Sequence, residues 1–147
     1  MKTWKALCKI TFLFLTGGAT YVYIEFLWRG YSHISMFILG GLAFILVGQI
    51  NEFLSWDTPI WLQCLIGTTI ILVLEFIFGC VLNLWLQLNI WDYSHLPFNV
   101  LGQICLQYAV MWYFLSALAI IADDYLRYWL FGEEKPHYCW HFKKFSE

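Results

Sequence analysis

Charge is what this chain lacks. Of its 147 residues, 12% are charged and 61% are apolar, where a soluble domain averages about 25% charged and 45–50% apolar. A chain of this size cannot gather so much apolar side chain into one water-facing core, so a soluble globular class is excluded. The net charge is −2, and no basic stripe exists outside the two ends, which leaves no footprint for nucleic acid. Cys-x-x-Cys pairs are absent. The five cysteines stand singly at 8, 64, 80, 105 and 139 and read as reduced, space-filling thiols. His137-x-Cys139-x-His141 offers three donors without a fourth, so no metal and no other cofactor is expected. The Gly-x-Ser-x-Gly elbow is missing, which weakens a hydrolase reading. So is the Gly-x-x-x-x-Gly-Lys-Ser/Thr loop, and the chain is therefore not itself an ATPase.

What the chain does have is long apolar segments. A bilayer core of about 30 Å takes roughly 20 residues of helix, and segments at about 10–28, 34–50, 60–83 and 101–122 qualify. The third has room to tilt or to bend into an interfacial segment near Asn83. Lys2, Lys5 and Lys9 ahead of an apolar run resemble a signal peptide. The run continues past Gly17-Gly18-Ala19, however, which would put the cleavage site inside the span, so a retained first helix is expected. Lys2, Lys5, Lys9, Arg127, Lys135, Lys143 and Lys144 all fall on the side of the termini, and Arg29 alone falls on the other. The positive-inside rule then places both termini in the cytoplasm and the loops after spans 1 and 3 outside it. The expected fold is an all-α integral membrane bundle of four transmembrane helices. They form two helical hairpins related as a parallel repeat, with a short interfacial C-terminal helix bearing Tyr125, Tyr128, Trp129 and Phe131. Residues 1–131 make one transmembrane domain and 132–147 a cytoplasmic tail.

The repeat rests on a duplicated polar element. Tyr31-Ser32-His33 and Tyr93-Ser94-His95 each follow a tryptophan closely, and each has a Glu-Phe pair upstream, Glu25-Phe26 and Glu75-Phe76. His33 follows Glu25 by eight positions and His95 follows Glu75 by twenty, so the second half is longer. A carboxylate inside a span is costly and usually faces the bundle interior or an aqueous path. Glu75 lies deep and needs a cation, a donor or a proton. It reads as proton relay, cation ligand or substrate anchor, or else as a helix–helix hydrogen bond to Asn83, Gln103 or Gln107. Arg29, four residues after Glu25, has the spacing of a helical ion pair, or serves as a fixed positive charge for a phosphate or carboxylate. His33 and His95 are titratable near neutrality or are plain hydrogen-bonding groups. Ser32 and Ser94 lie too close to their own histidines to form dyads, so such a dyad would have to cross between halves, as Ser32 with His95. The candidate substrate or ion site is thus Glu25, Arg29, Ser32, His33, Glu75, Asn83, Asp92, Ser94, His95 and Gln103. A cross-loop Arg29–Asp92 contact would lock the halves. At the other face, Asn51-Glu52 and Asp123-Asp124 beside Arg127 read as solvated helix ends with local pairing, or as a docking face or inner gate.

These residues carry a resemblance. Ile24-Glu25, Trp28-Arg29-Gly30-Tyr31-Ser32-His33, Ser35-Met36 and Gly40-Gly41, followed by Glu75-Phe76, Asn83, Trp91-Asp92-Tyr93-Ser94, Pro97, Asn99 and Gly102-Gln103-Ile104-Cys105, resemble the putative type IV ABC-transporter permeases, the CmpB-like family of small bacterial membrane proteins. The likeness spans roughly residues 17 to 131. It implies a multi-spanning transport component without assigning a substrate or catalytic residue. Four helices would need further copies of the chain or other membrane subunits to enclose a pathway, and a separate ATPase to drive it. Two other readings stand beside this one: a membrane enzyme acting on a lipid or lipid-linked substrate, and a non-catalytic membrane interaction subunit. Enzyme activity is the weaker expectation.

Overall fold

The computed structural model describes residues 2–142. The side chain of Lys2, together with Met1 and residues 143–147, and hence the charges of Lys143 and Lys144, lie outside the described residues. The chain is helical, with α1 (Lys2–Arg29), α2 (Ile34–Gly48), α3 (Ile50–Phe53), α4 (Ile60–Gly79) and α5 (Leu106–Phe131). A π-helical turn, Cys80–Trp85, extends α4, and a two-stranded antiparallel pair, β1 (Asn99–Val100) and β2 (Ile104–Cys105), precedes α5. Four helical segments are long and apolar enough to cross a membrane: Thr3–Arg29, Ile34–Phe53, Ile60–Trp85 and Leu106–Phe131.

The helix ends follow local chemistry. Gly30 takes a left-handed φ of 77° after α1, and its N–H donates to Phe26 O at 3.0 Å, a glycine C-terminal stop. His33 is the extended N-cap of α2, its Nδ1 accepting from Ser35 N at 3.2 Å. Pro59, lacking an amide proton, opens α4 at no cost in hydrogen bonding. Helix α5 begins at Leu106 rather than Leu101, because Leu101 and Gly102 have φ of 52° and 70° and form the turn between β1 and β2. No breaker follows until Gly132, at φ 69°. Tyr125, Tyr128, Trp129 and Phe131 therefore continue α5, and the separate short C-terminal helix expected after Ala122 is its last turns.

Helix α2 is the centre of the bundle, packing on α1, α4 and α5, while α4 also packs on α5. Gly17 lies against Gly40 and Phe44, Gly18 against Phe37 and Gly41 against Phe14, the reversed order of an antiparallel hairpin. A Cβ on Gly17 would sit 2.9 Å from the Gly40 carbonyl oxygen, so the hairpin closes to a distance that only small residues allow. Ala43, Val47, Ile60, Cys64, Ile71 and Ile120 form one buried apolar cluster. Met36, Leu39, Ile90 and Trp91 form a second, which ties the loop after α4 to α2.

Candidate functional site

At the loop end of the bundle, Glu25 and Arg29 on α1 and Glu75 on α4 line one cavity of about 210 Å³. Arg29 Nη2 donates to Glu25 Oε1 at 2.8 Å, and Ser32 Oγ donates to Glu25 Oε2 at 2.6 Å. Arg29 Nη1 reaches across to the second loop and donates to Ile90 O at 2.9 Å. Its guanidinium also stands 4.7 Å from the Tyr31 ring centre, a cation–π distance. The Glu25 charge is thus fully accounted for, whereas that of Glu75 is not. Glu75 is 2% exposed. The Trp112 indole and the Tyr21 hydroxyl face its carboxylate, yet Glu75 Oε2 and Trp112 Nε1 both end buried and without a hydrogen-bond partner. Aromatic rings wall the cavity: Tyr21 stacks on Trp112 at 5.7 Å and Tyr93 on Tyr108 at 4.6 Å, with Trp28 and Trp91 beside them. Burial, followed by the Glu75 charge, holds the Tyr93 hydroxyl well above its ordinary pKa, so it stays a neutral donor.

Asn83 and Gln103, expected as site residues or as partners of Glu75, instead brace the loop. Asn83 Nδ2 donates to Gln103 Oε1 at 2.9 Å, Ile90 N to Asn83 Oδ1 at 2.7 Å, and Trp91 Nε1 to Gln103 O at 3.0 Å. Gln107 is exposed. The two Tyr-Ser-His copies part company. His33 caps α2 and its Nδ1 lies 2.8 Å from Ser35 Oγ. Ser94 donates to Asp92 Oδ1 through both its hydroxyl and its N–H, which holds the Asp92 carboxyl below its ordinary pKa. Asp92, Ser94 and His95 are exposed and outside the cavity. In place of the expected Arg29–Asp92 lock, Arg29 bonds Ile90 O and Glu25 while Asp92 bonds Ser94. The proposed Ser32–His95 dyad is likewise replaced by Ser32–Glu25.

At the opposite end Glu52 is exposed and the local Asp123–Arg127 pair forms, but Asp123, Asp124 and Arg127 are buried rather than solvated. Asp123 is 0% exposed and Arg127 3%. Arg127 Nε donates to Asp123 Oδ2 at 2.5 Å, and Asp124 Oδ2 accepts from Asn51 Nδ2 at 2.7 Å and the Tyr138 hydroxyl at 2.8 Å. The reason is twofold. Helix α5 carries on beyond these residues, and the segment after it folds back across the bundle. Ile60 N donates to Cys139 O at 2.9 Å, Trp56 Nε1 to Glu134 Oε2 at 3.2 Å and Trp61 Nε1 to Trp140 O at 3.2 Å, and Lys9 pairs with Glu133. His137 stacks on Trp56 at 5.0 Å and the Cys139 thiol lies 3.1 Å from Asp57 O, so the His-x-Cys-x-His run is packed as a strap. Its aromatic density was the only sequence signal for that docking.

Four helices of this length and hydropathy define a small polytopic membrane protein, with a cavity lined by Glu25, Arg29 and Glu75 near one end of its bundle. Over residues 10–131 the chain matches the family described as "Putative ABC-transporter type IV", and it belongs to that family. No solved structure matches it.

Proposed function

We propose that this chain is the solute-binding membrane part of a transporter, with the Glu75 cavity as its site. The observation that carries the reading is Glu75 Oε2, buried in a cavity and unpartnered. A carboxylate is kept at such depth at a cost of about 3 kcal/mol on insertion scales. Glu25, by contrast, holds both Arg29 and Ser32. In this reading Glu75 accepts a cation or a proton, and Glu25 positions Arg29 at the mouth. The α1–α2 and α4–α5 hairpins are two copies of one unit, each contributing a glutamate. The basic residues Lys5, Lys9, Arg127 and Lys135 at the terminal end support cytoplasmic termini, with the cavity beneath extracytoplasmic loops, and the family supports a bacterial membrane. Further copies or other membrane subunits complete the pathway, and a separate ATPase drives it. The test is complementation of a deletion strain of the native host, scored by growth across a panel of solutes. Glu75→Asp is expected to restore part of the wild-type pattern and Glu75→Gln none of it. A Glu75→Gln strain indistinguishable from wild type, with equal protein in the membrane, overturns the reading.

A further inference from the structure

On its inner side the Glu75 cavity adjoins another. A second cavity of about 250 Å³, with almost wholly apolar walls, begins where the first ends and shares Tyr21, Ile24, Trp112 and Leu115 with it. It follows the seam between α1 and α5. Those helices meet side chain to side chain at Phe12–Phe131, 6.0 Å between ring centres, and again at Tyr21–Trp112. Between these contacts lie Ala119 and Ala122 on α5, whose small side chains leave the seam unfilled. From Trp112 to Leu126 the groove runs ~21 Å along α5, at 1.5 Å per residue. Thr16, one of its few polar linings, already spends its hydroxyl on Phe12 O at 2.9 Å.

The two chambers therefore differ in kind and meet at the stacked Tyr21–Trp112 pair, which lines both. The first has an unmatched carboxylate among aromatic faces, the combination that attracts an organic cation. Arg29 does not oppose this, because Glu25 matches its charge. The second is an apolar slot whose lining includes the exposed side chains of Ile24 and Leu118, so it opens along the side of the bundle. Resting on the reading of the Glu75 cavity as the solute site, we propose that the solute is an amphiphilic organic cation, its ammonium head donating to Glu75 Oε2 and its single alkyl chain lying in the α1–α5 groove. Arg29 Nε and Trp112 Nε1, both buried and unpartnered, are the donors for an oxygen acceptor next to the head. A lone metal ion fits less well, since no group of three His, Cys, Asp or Glu capable of holding one occurs among the described residues. The volume is also several times the ~30 Å³ share of one water.

The test is equilibrium binding of radiolabelled decylammonium to the full chain in nanodiscs of zwitterionic lipid. Methylammonium, decanol and decanoate serve as competitors. Saturable binding is expected, with decylammonium far tighter than methylammonium, and neither decanol nor decanoate competing at equal membrane concentration. Glu75→Gln should weaken decylammonium at least ~30-fold, as for a buried charge partner removed. Ala119→Phe, or Ala122→Phe should the first not be monodisperse, fills the groove. It should weaken decylammonium about tenfold while leaving methylammonium unchanged, since neither residue lines the Glu75 cavity. Equal competition by decanol or decanoate shows a crevice taking any bilayer chain, and overturns the proposal. So does unaltered binding to Glu75→Gln. If Glu75→Gln abolishes complementation in the host while decylammonium fails to bind wild type, the transport reading stands and this assignment of the solute falls.

Discussion

If Glu75 is kept for a ligand, the protein without that ligand should be more stable when the carboxylate is gone. Glu75→Met tests this, because methionine keeps the length of the side chain and adapts to irregular space. The structure sets the size of the effect. Glu75 is 2% exposed and Oε2 has no partner, and relieving one buried unsatisfied polar group is worth about 1–3 kcal/mol. Imperfect packing of the new side chain takes back up to ~1.5 kcal/mol, so a net gain of about 1 kcal/mol is expected. Arg29→Met is the matched control. Arg29 bridges Glu25 Oε1 at 2.8 Å and Ile90 O at 2.9 Å, with side chains 21% and 14% exposed in the ion pair. Its loss leaves a mostly buried carboxylate held by Ser32 alone, at a cost of about 2 kcal/mol. Both variants are compared with wild type by reversible unfolding in one detergent, followed by far-ultraviolet circular dichroism. Opposite signs are expected. A Glu75→Met protein less stable than wild type by more than ~1 kcal/mol would mean that Glu75 has a partner inside the protein, and the argument for a ligand would collapse.

At the terminal end, Arg127→Met leaves Asp123 buried without its cation and should destabilise by about 3–5 kcal/mol. Arg127→Met combined with Asp123→Leu should recover most of that loss in the same unfolding assay. Asn83→Ala removes the bonds to Gln103 and Ile90 and should cost about 2 kcal/mol. Amide exchange over residues 86–105 should rise while helix content stays constant. Asp92 should titrate below its ordinary value of 3.8 because both Ser94 bonds favour the carboxylate. Its contribution to folding is therefore present above that value and fades as pH falls through the depressed one. Carboxyl-carbon NMR reads the midpoint directly, and Ser94→Ala should move it upward. A midpoint at or above 3.8 in wild type would contradict the loop geometry.

Four membrane-length helices could be read from the sequence because the signal is bulk composition, which neighbouring chemistry cannot overrule. The end of α4 was nearly legible too: Asn83 marks the turn at which the helix loosens into its π-helical exit. The start of α5 was not, since apolar residues run on from Leu101 through a β turn. What reverses the chain there is the positive φ of Leu101 and Gly102, which hydropathy does not register. The terminal end misled for a different reason. Asp123, Asp124 and Arg127 look like a wet helix end as long as residues 132–142 are counted as a free tail. Their burial depends on Tyr138 and Cys139 returning to the bundle, a long-range contact with no local pattern.

The duplicated tripeptide shows most clearly where local sequence stops deciding structure. Ser32 and Ser94 have the same neighbours on both sides, yet one donates to a glutamate seven residues back and the other to an aspartate two residues back. A serine hydroxyl takes the nearest acceptor that needs no ordering of intervening chain, and the short Asx-type bond forms wherever an aspartate stands at that spacing. The first copy has Gly30 two residues before its serine and so has no such acceptor. Its hydroxyl is left for Glu25, and Glu25 is thereby fixed to hold Arg29. Asp92 holds Ser94 in the exposed turn, the second copy does not repeat the serine–glutamate bond of the first, and Glu75 Oε2 has no hydrogen-bond partner. The different bonding of the two serines therefore traces to one difference between the halves, glycine at 30 against aspartate at 92. An Asp92→Gly variant, which frees the Ser94 hydroxyl, should loosen the 92–95 turn, measured as faster amide exchange there, without altering the Glu25–Arg29 pair.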